Sequence, residues 1–432
     1  MKYITFLGLG PKDGYKELIT FFENDAENIS CTKLVQHHIY ENYKDQIDQV
    51  YVFTTKESHE RYFDEFCQII PESIINEIQI DQNITSELFV DHLINILDDS
   101  DDVILDVTHS FRKIPIRLLF ALRYVEAMKN VRIRSVFYGE VEKQNTEQSY
   151  SIVHDLAKDY QMQKVTEYLS QFDRTLIIRR EDWKELSLGD QTIENLMDAL
   201  AQFNEMTEFC NLDAAASTVL QISEKAKAIV NKRDKASGEN PYILLTPLAK
   251  QIQEKFAKVS RNNSETQNLV EIIRVLLQHE RFQLAITFTD ELFGRELIRN
   301  TVDPNARRFD AGQIIKQIHF YGSKRDKEKF PYNATQYLKE KTGVRKDAHI
   351  RENLYQRFED CFEPYGDNIQ RLQSIVTIPE NEEVIHHFST DCRNVVNHAS
   401  TSSKTRNLKT DIEKTVLKML NIIQQFDQIR KM

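Results

Sequence analysis

Near the C-terminus, Arg393 and His398 stand five positions apart, and Asn394 directly follows the arginine. At about 100° per residue, Asn394 and His398 lie about 40° apart on one helical face, with Arg393 bordering it. An imidazole titrates near neutrality and can serve as general base or acid. A guanidinium can hold the charge that develops on a phosphorane through paired hydrogen bonds. RNA brings its own nucleophile, the 2′-OH. This pair therefore suits RNA cleavage without a metal, with His398 moving the proton, Arg393 holding the charge, and Asn394 orienting the scissile phosphate or the imidazole. A second pair of the same spacing, Arg274 and His279, lies in a strongly apolar helical run and reads as packing or surface. Asp290 and Glu291, which could orient Arg393, read as solvated helix acids. His386-His387 reads as structural, with no carboxylate or cysteine at metal spacing beside it, so no metal ligand is expected.

A different chemistry gathers in the first 113 residues. Gly8-Leu9-Gly10-Pro11 follows an apolar run and lets backbone amides approach an anion, although the rest of a dinucleotide fingerprint is missing. Thr54-Thr55-Lys56-Glu57-Ser58 follows Val50-Tyr51-Val52-Phe53 and offers hydroxyls and one ammonium for ribose and phosphate. Thr55 or Ser58 equally suits a helix N-cap. Val103-Ile104-Leu105-Asp106 runs into Val107-Thr108-His109-Ser110-Phe111-Arg112. That reads as an apolar strand ending in an acid, then a polar elbow opening a helix, with Arg112 beside a helix N-terminus suited to anions. Asp106 is expected to orient the turn.

The elements that must position these groups change character along the chain. Up to residue 153, strands are expected at Lys2–Leu9, Thr32–Tyr40, Gln49–Thr54, Ile74–Ile80, Val103–Val107 and Arg132–Tyr138, with Ser149–Val153 as a last edge strand. Helical periodicity falls between several of them, at Ser86–Leu97 and Pro115–Met128. Such alternation predicts a parallel, doubly wound sheet, whose ligands bind beyond the carboxyl ends of the strands. From Asp155 a 3.6-residue period dominates, at Leu156–Phe172, Thr192–Val230, Tyr242–Val259, Gln267–Leu277, Ala285–Ile298 and Leu408–Ile429. Breaker-rich stretches then suggest three domains: 1–155, 156–262 and 263–432.

Charge separates the same regions. Residues 1–150 hold 15 basic and 26 acidic side chains, and the remainder holds 41 of each. An acidic N-terminal part is a poor general binder of long nucleic acid, so any polyanion it holds should be short and enclosed. The neutral part carries basic clusters, Arg295/Arg299/Arg307/Arg308 and Arg345/Lys346/Arg351, which could touch RNA but read mainly as solvated helix faces. No apolar run is long enough to span a bilayer, and no membrane partner is expected. The five cysteines are scattered without a Cys-x-x-Cys pair, which fits a reducing cytoplasm.

Asp106-Val107-Thr108-His109-Ser110 resembles the Asp-x-Thr-His-Gly motif of CRISPR-associated Rossmann fold (CARF) domains, with Ser110 in place of the usual glycine. Arg393-x4-His398 with Asn394 resembles the signature of HEPN ribonucleases. Together they resemble the CARF–HEPN ribonucleases of type III CRISPR systems, the Csx/Csm group. The resemblance implies an α/β Rossmann-like N-terminal domain followed by all-α domains, the last HEPN-like. It also implies a homodimer or higher even oligomer that cuts single-stranded RNA when it binds a cyclic oligoadenylate. Cyclic tetra-adenylate is the expected activator, with cyclic hexa-adenylate the alternative, and no cofactor is implied. The family's ligand loops fall on Gly8, Gly10, Thr54, Thr55, Lys56, Thr108, His109, Ser110 and Arg112. Its catalytic residues fall on Arg393, Asn394 and His398. Two other readings stay open: a ring nuclease that degrades its own cyclic ligand, and a ligand-gated transcription regulator, although no convincing helix-turn-helix with a basic recognition helix is found.

Overall fold

Side chains alternate between two buried layers along the central strands of the N-terminal unit. Tyr3, Val50, Val52 and Ile104 face one layer, and Ile4, Phe6, Tyr51, Phe53, Val103 and Leu105 face the other. A strand buried on both faces needs apolar groups at odd and even positions alike, which is why these strands read as continuous apolar runs.

The computed structural model describes residues 1–10, 14–108, 113–143, 149–184, 186, 189–235, 240–301, 371–372, 374–376, 378–388, 392 and 408–429. It divides into two compact units, Met1–Lys164 and Val165–Met432.

In the first unit the chain runs β1 (Lys2–Phe6), β2 (Leu18–Phe22), β3 (Asp25–Thr32), α1 (Val35–Tyr43), β4 (Gln49–Thr54), α2 (Lys56–Phe66) and β5 (Ile75–Gln79). It continues through α3 (Ser86–Ile96), β6 (Asp102–Asp106), α4 (Lys113–Lys129), β7 (Arg132–Lys143) and β8 (Ser149–Asp155), and enters α5 (Ala157–Thr175). The eight strands form one sheet in the order β3-β2-β8-β7-β6-β1-β4-β5. β5, β4, β1, β6 and β7 are mutually parallel. Among those five the strand order reverses at β1, so the crevice for a ligand is expected beyond its carboxyl end. Leu34, Val35 and Ile39 of the α1 region and Phe66 of α2 cover one face. Phe89 and Leu93 of α3, with Leu118, Leu122 and Val125 of α4, cover the other. Phe6, Phe53 and Phe89 form an aromatic triangle with centroids 5.3 to 6.3 Å apart.

Three sequence expectations are corrected here. The sheet is mixed rather than parallel, because β8 runs antiparallel to β7 and β3 antiparallel to β2. Thr32–Tyr40 is not a strand. Only Thr32 belongs to β3, and the β-branched and aromatic residues from Val35 on lie in α1, buried in an unbroken run to Tyr40. Ser149–Val153 belongs to β8, which lies inside the sheet between β7 and β2 rather than at its edge.

The second unit is helical among its described residues. After the remainder of α5 come α6 (Arg180–Lys184), α7 (Gln191–Glu208), α8 (Leu212–Arg233), α9 (Tyr242–Lys255), α10 (Glu265–Gln278), α11 (Phe282–Thr301), α12 (Pro379–His387) and α13 (Leu408–Ile429). Thr192–Val230, expected as one helix, is two. Cys210 takes a left-handed φ of 51°, and Asn211 then caps α8 by accepting from Ala214 N. Phe172, Phe203 and Phe256 meet edge to face at 5.9 and 5.4 Å and centre one part of the core. α10, α11 and α13 pack on one another, with Phe293 against Phe426. Both the stretch 165–262 and the described residues from 263 onward fall within this one unit.

Candidate functional site

The three strand-end loops singled out in the sequence follow β4, β1 and β6, which are adjacent and parallel with β1 in the middle. Their carboxyl ends therefore open on the same edge of the sheet. After β1, Leu7 still donates to Phe53 O at 3.0 Å, but among the described residues the amides of Gly8 and Leu9 find no acceptor. Gly10 is exposed with a φ of 65°, where a side chain would be strained. A Cβ there would also lie 2.7 Å from the Tyr62 hydroxyl and 3.1 Å from the Tyr15 ring. Tyr15 and Tyr62 pack at 4.7 Å, so two aromatic rings floor this loop. Burial, and then the neighbouring Tyr62, pushes the Tyr15 phenol well above its ordinary range, which keeps it neutral.

The hydroxyls around β4 are engaged within the protein. Thr54 is fully buried and donates to Glu77 of β5, which also meets His59 Nδ1 at 2.7 Å. Thr55 caps α2. It accepts from Ser58 N at 3.2 Å, and its own amide donates to Ser58 Oγ at 2.8 Å, so the capping alternative is what forms. These threonines set the strand exit and leave Lys56 as the group at the rim. Lys56 is exposed and makes no hydrogen bond or ion pair with a described residue. It is the first residue of α2, where a positive charge opposes the helix dipole.

Asp106 ends β6 fully buried. It accepts from Thr5 Oγ1 at 2.7 Å and from Thr108 N at 3.0 Å, and the Thr108 hydroxyl also donates to it. Thr108 Oγ1 in turn accepts from Gly139 N at 2.8 Å. A Cβ at Gly139 would lie 3.0 Å from Thr108 and 2.9 Å from Val35, so only glycine allows this approach. Asp106 thus ties β1 to the start of the elbow, and Thr108 ties the elbow to β7, which is the orienting role expected of the acid. Burial raises the Asp106 carboxyl above its usual range, while the hydrogen bonds from Thr108 and Thr5 pull it back. His109, Ser110 and Arg112 lie outside the described residues.

The loop after β5 was missed in the sequence. Gln82 donates to Glu57 at 3.0 Å, Lys113 of α4 donates to Asn83 Oδ1 at 2.5 Å, and Arg117 donates to the carbonyls of Asn83 and Ile84. These bonds join the starts of α2 and α4. Asp81-Gln82-Asn83 carries no side chain that announces chemistry, and its role is contact geometry alone.

In the helical unit, Arg393, Asn394 and His398 lie outside the described residues. The rival pair is structural. His279 caps α10, its Nε2 lies 2.7 Å from Lys255 Nζ, and its Nδ1 lies 3.0 Å from Arg174 O. That pattern assigns a neutral ring with the proton on Nδ1, in accord with burial, which lowers its pKa. Arg274 pairs with Glu271.

Three further readings are corrected. Asp290 is buried rather than solvated, whereas Glu291 is exposed. Arg295 and Arg299 do not form a free basic face. Arg295 meets Glu265 at 2.6 Å and Asp213 at 3.1 Å, and Arg299 meets Glu265 at 2.5 Å and the fully buried Glu296 at 3.2 Å. His387 does have a cysteine and a carboxylate beside it, Cys392 and Asp411.

No family model matches the chain. Over 140 residues it is 31% identical to CRISPR-associated protein MJ1674 of Methanocaldococcus jannaschii. Part of this chain is homologous to a CRISPR-associated protein. The match covers 31% of this chain and 21% of that relative, so it spans about a fifth of the relative's length. Among solved structures, Enterococcus italicus Csm6 bound to cyclic hexa-2'-fluoro-hexa-dAMP aligns over 100% of this chain and 97% of its own, at 11% identity and a TM-score of 0.37. A likeness that low fixes neither fold nor function. No helix among the described residues is long and apolar enough to cross a membrane.

Proposed function

We propose that this protein is a type III CRISPR ribonuclease, cutting single-stranded RNA when its N-terminal unit binds a cyclic oligoadenylate. The observation that carries the reading is the convergence of the β1, β4 and β6 exits at the strand-order reversal. It presents the Gly8 and Leu9 amides, which have no acceptor among the described residues, and the exposed Lys56 on an otherwise acidic unit. Backbone amides and a single ammonium suit phosphates, and Tyr15 and Tyr62 pack beneath Gly10. His109, Ser110 and Arg112 complete the ligand set, and cyclic tetra-adenylate is preferred over cyclic hexa-adenylate. Partial homology to a CRISPR-associated protein supports the setting.

Pairing of two copies follows from the proposed chemistry. One His398 gives one titratable group, whereas cleavage gains from both a base and an acid. Two copies supply two histidines and two arginines around one phosphate. A surface suited to pairing is on α4, where Ile116, Leu119, Phe120, Tyr124 and Met128 form an apolar stripe exposed by 37–67%. That stripe offers on the order of 500 Å² per copy, most of the roughly 800 Å² each partner buries in a stable complex.

The test is cleavage by the full chain with activator present. Arg393→Ala and His398→Ala are each expected to abolish cutting, while activator affinity measured by calorimetry stays unchanged. Adding Mg²⁺ or Mn²⁺ to chelated protein is expected to give no rise in rate. Normal cutting by His398→Ala, with loss in His279→Ala, would move the active site to the other pair.

A further inference from the structure

His387, Cys392 and Asp411 come from separate places in the chain to one point. His387 ends α12, Cys392 follows it by five residues, and Asp411 lies in the first turn of α13. One ligand atom from each lies within 4.8 Å of the other two, and His387 Nε2 is 2.9 Å from Asp411 Oδ2. The backbone at Phe388 and Cys392 is π-helical. A π turn has a spacing of five residues, that between His387 and Cys392, and such turns are uncommon and frequently found at functional sites.

The donor set selects the ligand. Thiolate, imidazole and carboxylate together are a borderline-soft set that suits zinc-class divalent ions, whereas magnesium and calcium take oxygen donors. Zinc bonds of about 2.0–2.3 Å need the three donors closer together than their widest separation here, a small closure of two side chains. The Cys392 side chain is buried, which shields a bound thiolate, and His387 and Asp411 are one-third and one-half exposed, so water can take a fourth position.

We propose that His387, Cys392 and Asp411 bind one zinc-class divalent ion that fastens Cys392, the residue before Arg393, to α13. Binding converts the Cys392 thiol to a thiolate and releases its proton to solvent, so affinity falls as pH falls. The ion is structural and takes no part in the proposed cleavage. Its test therefore does not depend on nuclease activity.

The experiment uses chelator-treated, dialysed full-length protein titrated with Co²⁺ and then with Zn²⁺. The expected result is one Co²⁺ per chain, with a near-ultraviolet thiolate-to-cobalt band and visible bands of tetrahedral intensity, all displaced by one equivalent of Zn²⁺. Cys392→Ser is expected to remove the thiolate band. Asp411→Asn and His387→Gln are expected to weaken Co²⁺ binding by about tenfold or more. Asp411 is half exposed, so that variant keeps the test open if Cys392→Ser fails to fold by circular dichroism. A thiolate band absent at saturating Co²⁺, a band that survives Cys392→Ser, or an unchanged affinity in Asp411→Asn would each overturn the proposal.

Discussion

Lys56 and Arg299 carry the same charge at opposite kinds of helix end, and the protein treats them oppositely. Arg299 lies in the last turn of α11, where the dipole favours a cation, and it is held by Glu265 and Glu296. Lys56 opens α2, where the dipole opposes it, and no described group pairs with it. Charge count alone ranks the C-terminal region as the better polyanion binder, since it holds 41 of the 56 basic residues. Partnership reverses that ranking at these positions. A cation already held by two carboxylates, one of them fully buried, is committed within the protein, and an unfavourably placed cation that no described group pairs with is available to an anion.

The largest effect expected from this contrast is on stability. Glu296→Ala removes a buried carboxylate that accepts from Thr266 Oγ1 at 2.7 Å and pairs with Arg299. The loss should be about 2–4 kcal/mol in urea unfolding, since it leaves a hydroxyl and a guanidinium short of an acceptor. A loss under about 0.5 kcal/mol, the range of ordinary surface changes, would mean that Arg299 is as free as Lys56.

Next comes the carboxylate at the elbow after β6. Asp106→Ala removes the acceptor for Thr5 and Thr108, at an expected loss of about 2–3 kcal/mol. Asp106→Asn keeps an acceptor for Thr108, and its amide can donate to Thr5, so it should stay within about 1 kcal/mol of the parent. The two regions also differ in pH response. Burial raises Asp106, so its share of stability is complete below the free aspartate value of about 3.9 and fades as pH rises through its folded value. Burial acts the same way on Glu265, but Arg299 and Arg295 outweigh it and hold its pKa down. Its share is present above about pH 4.3 and is lost on acidification. Urea unfolding across pH 3–6 should show Asp106→Asn and Glu265→Gln removing slopes of opposite sign, and slopes of the same sign would break the comparison.

The smallest stability effect, and the most diagnostic, is at Lys56. Lys56→Ala should leave stability unchanged or raise it by a few tenths of a kcal/mol, because it relieves the dipole. It should also weaken activator binding about tenfold, or ~1.4 kcal/mol, with excess activator restoring cleavage. Thr55→Ala should show the reverse balance, losing about 1 kcal/mol of stability through the lost cap. Equal affinity in Lys56→Ala and the parent would remove Lys56 from the site.

How much of this could be read in the sequence depended on whether burial followed a period. β4, β6 and α13 were placed closely because their apolar positions recur cleanly, with Leu408–Ile429 matching end for end. β3 escaped because it is mostly exposed and polar over Asp25–Thr32, leaving no alternation to detect. α1 was misassigned because its buried run includes the polar residues Gln36, His37 and His38, of which Gln36 Nε2 meets Phe6 O, His37 Nε2 meets Phe66 O and His38 Nδ1 meets Ser30 Oγ. At the candidate site, the elbow was legible because Asp106 and Thr108 bond each other two residues apart, although the bonds of Asp106 to Thr5 and of Thr108 to Gly139, 101 and 31 residues away, were not. The Asp81–Ile84 loop was not, because its bonds to Glu57, Lys113 and Arg117 cross 25 to 34 residues of chain. The grouping of Cys392 and Asp411 on His387 escaped for the same reason in Asp411 and through an uncommon backbone turn in Cys392.

The most direct measurement is single-stranded RNA cleavage by the full chain, alone and with cyclic tetra-adenylate or cyclic hexa-adenylate in excess, followed on the RNA and on the cyclic ligand together. The account predicts little cutting without activator and a large rise with one ring size, the tetra-adenylate preferred. Equal cutting with and without activator, no cutting with either, or consumption of the cyclic ligand while the RNA stays whole would contradict it.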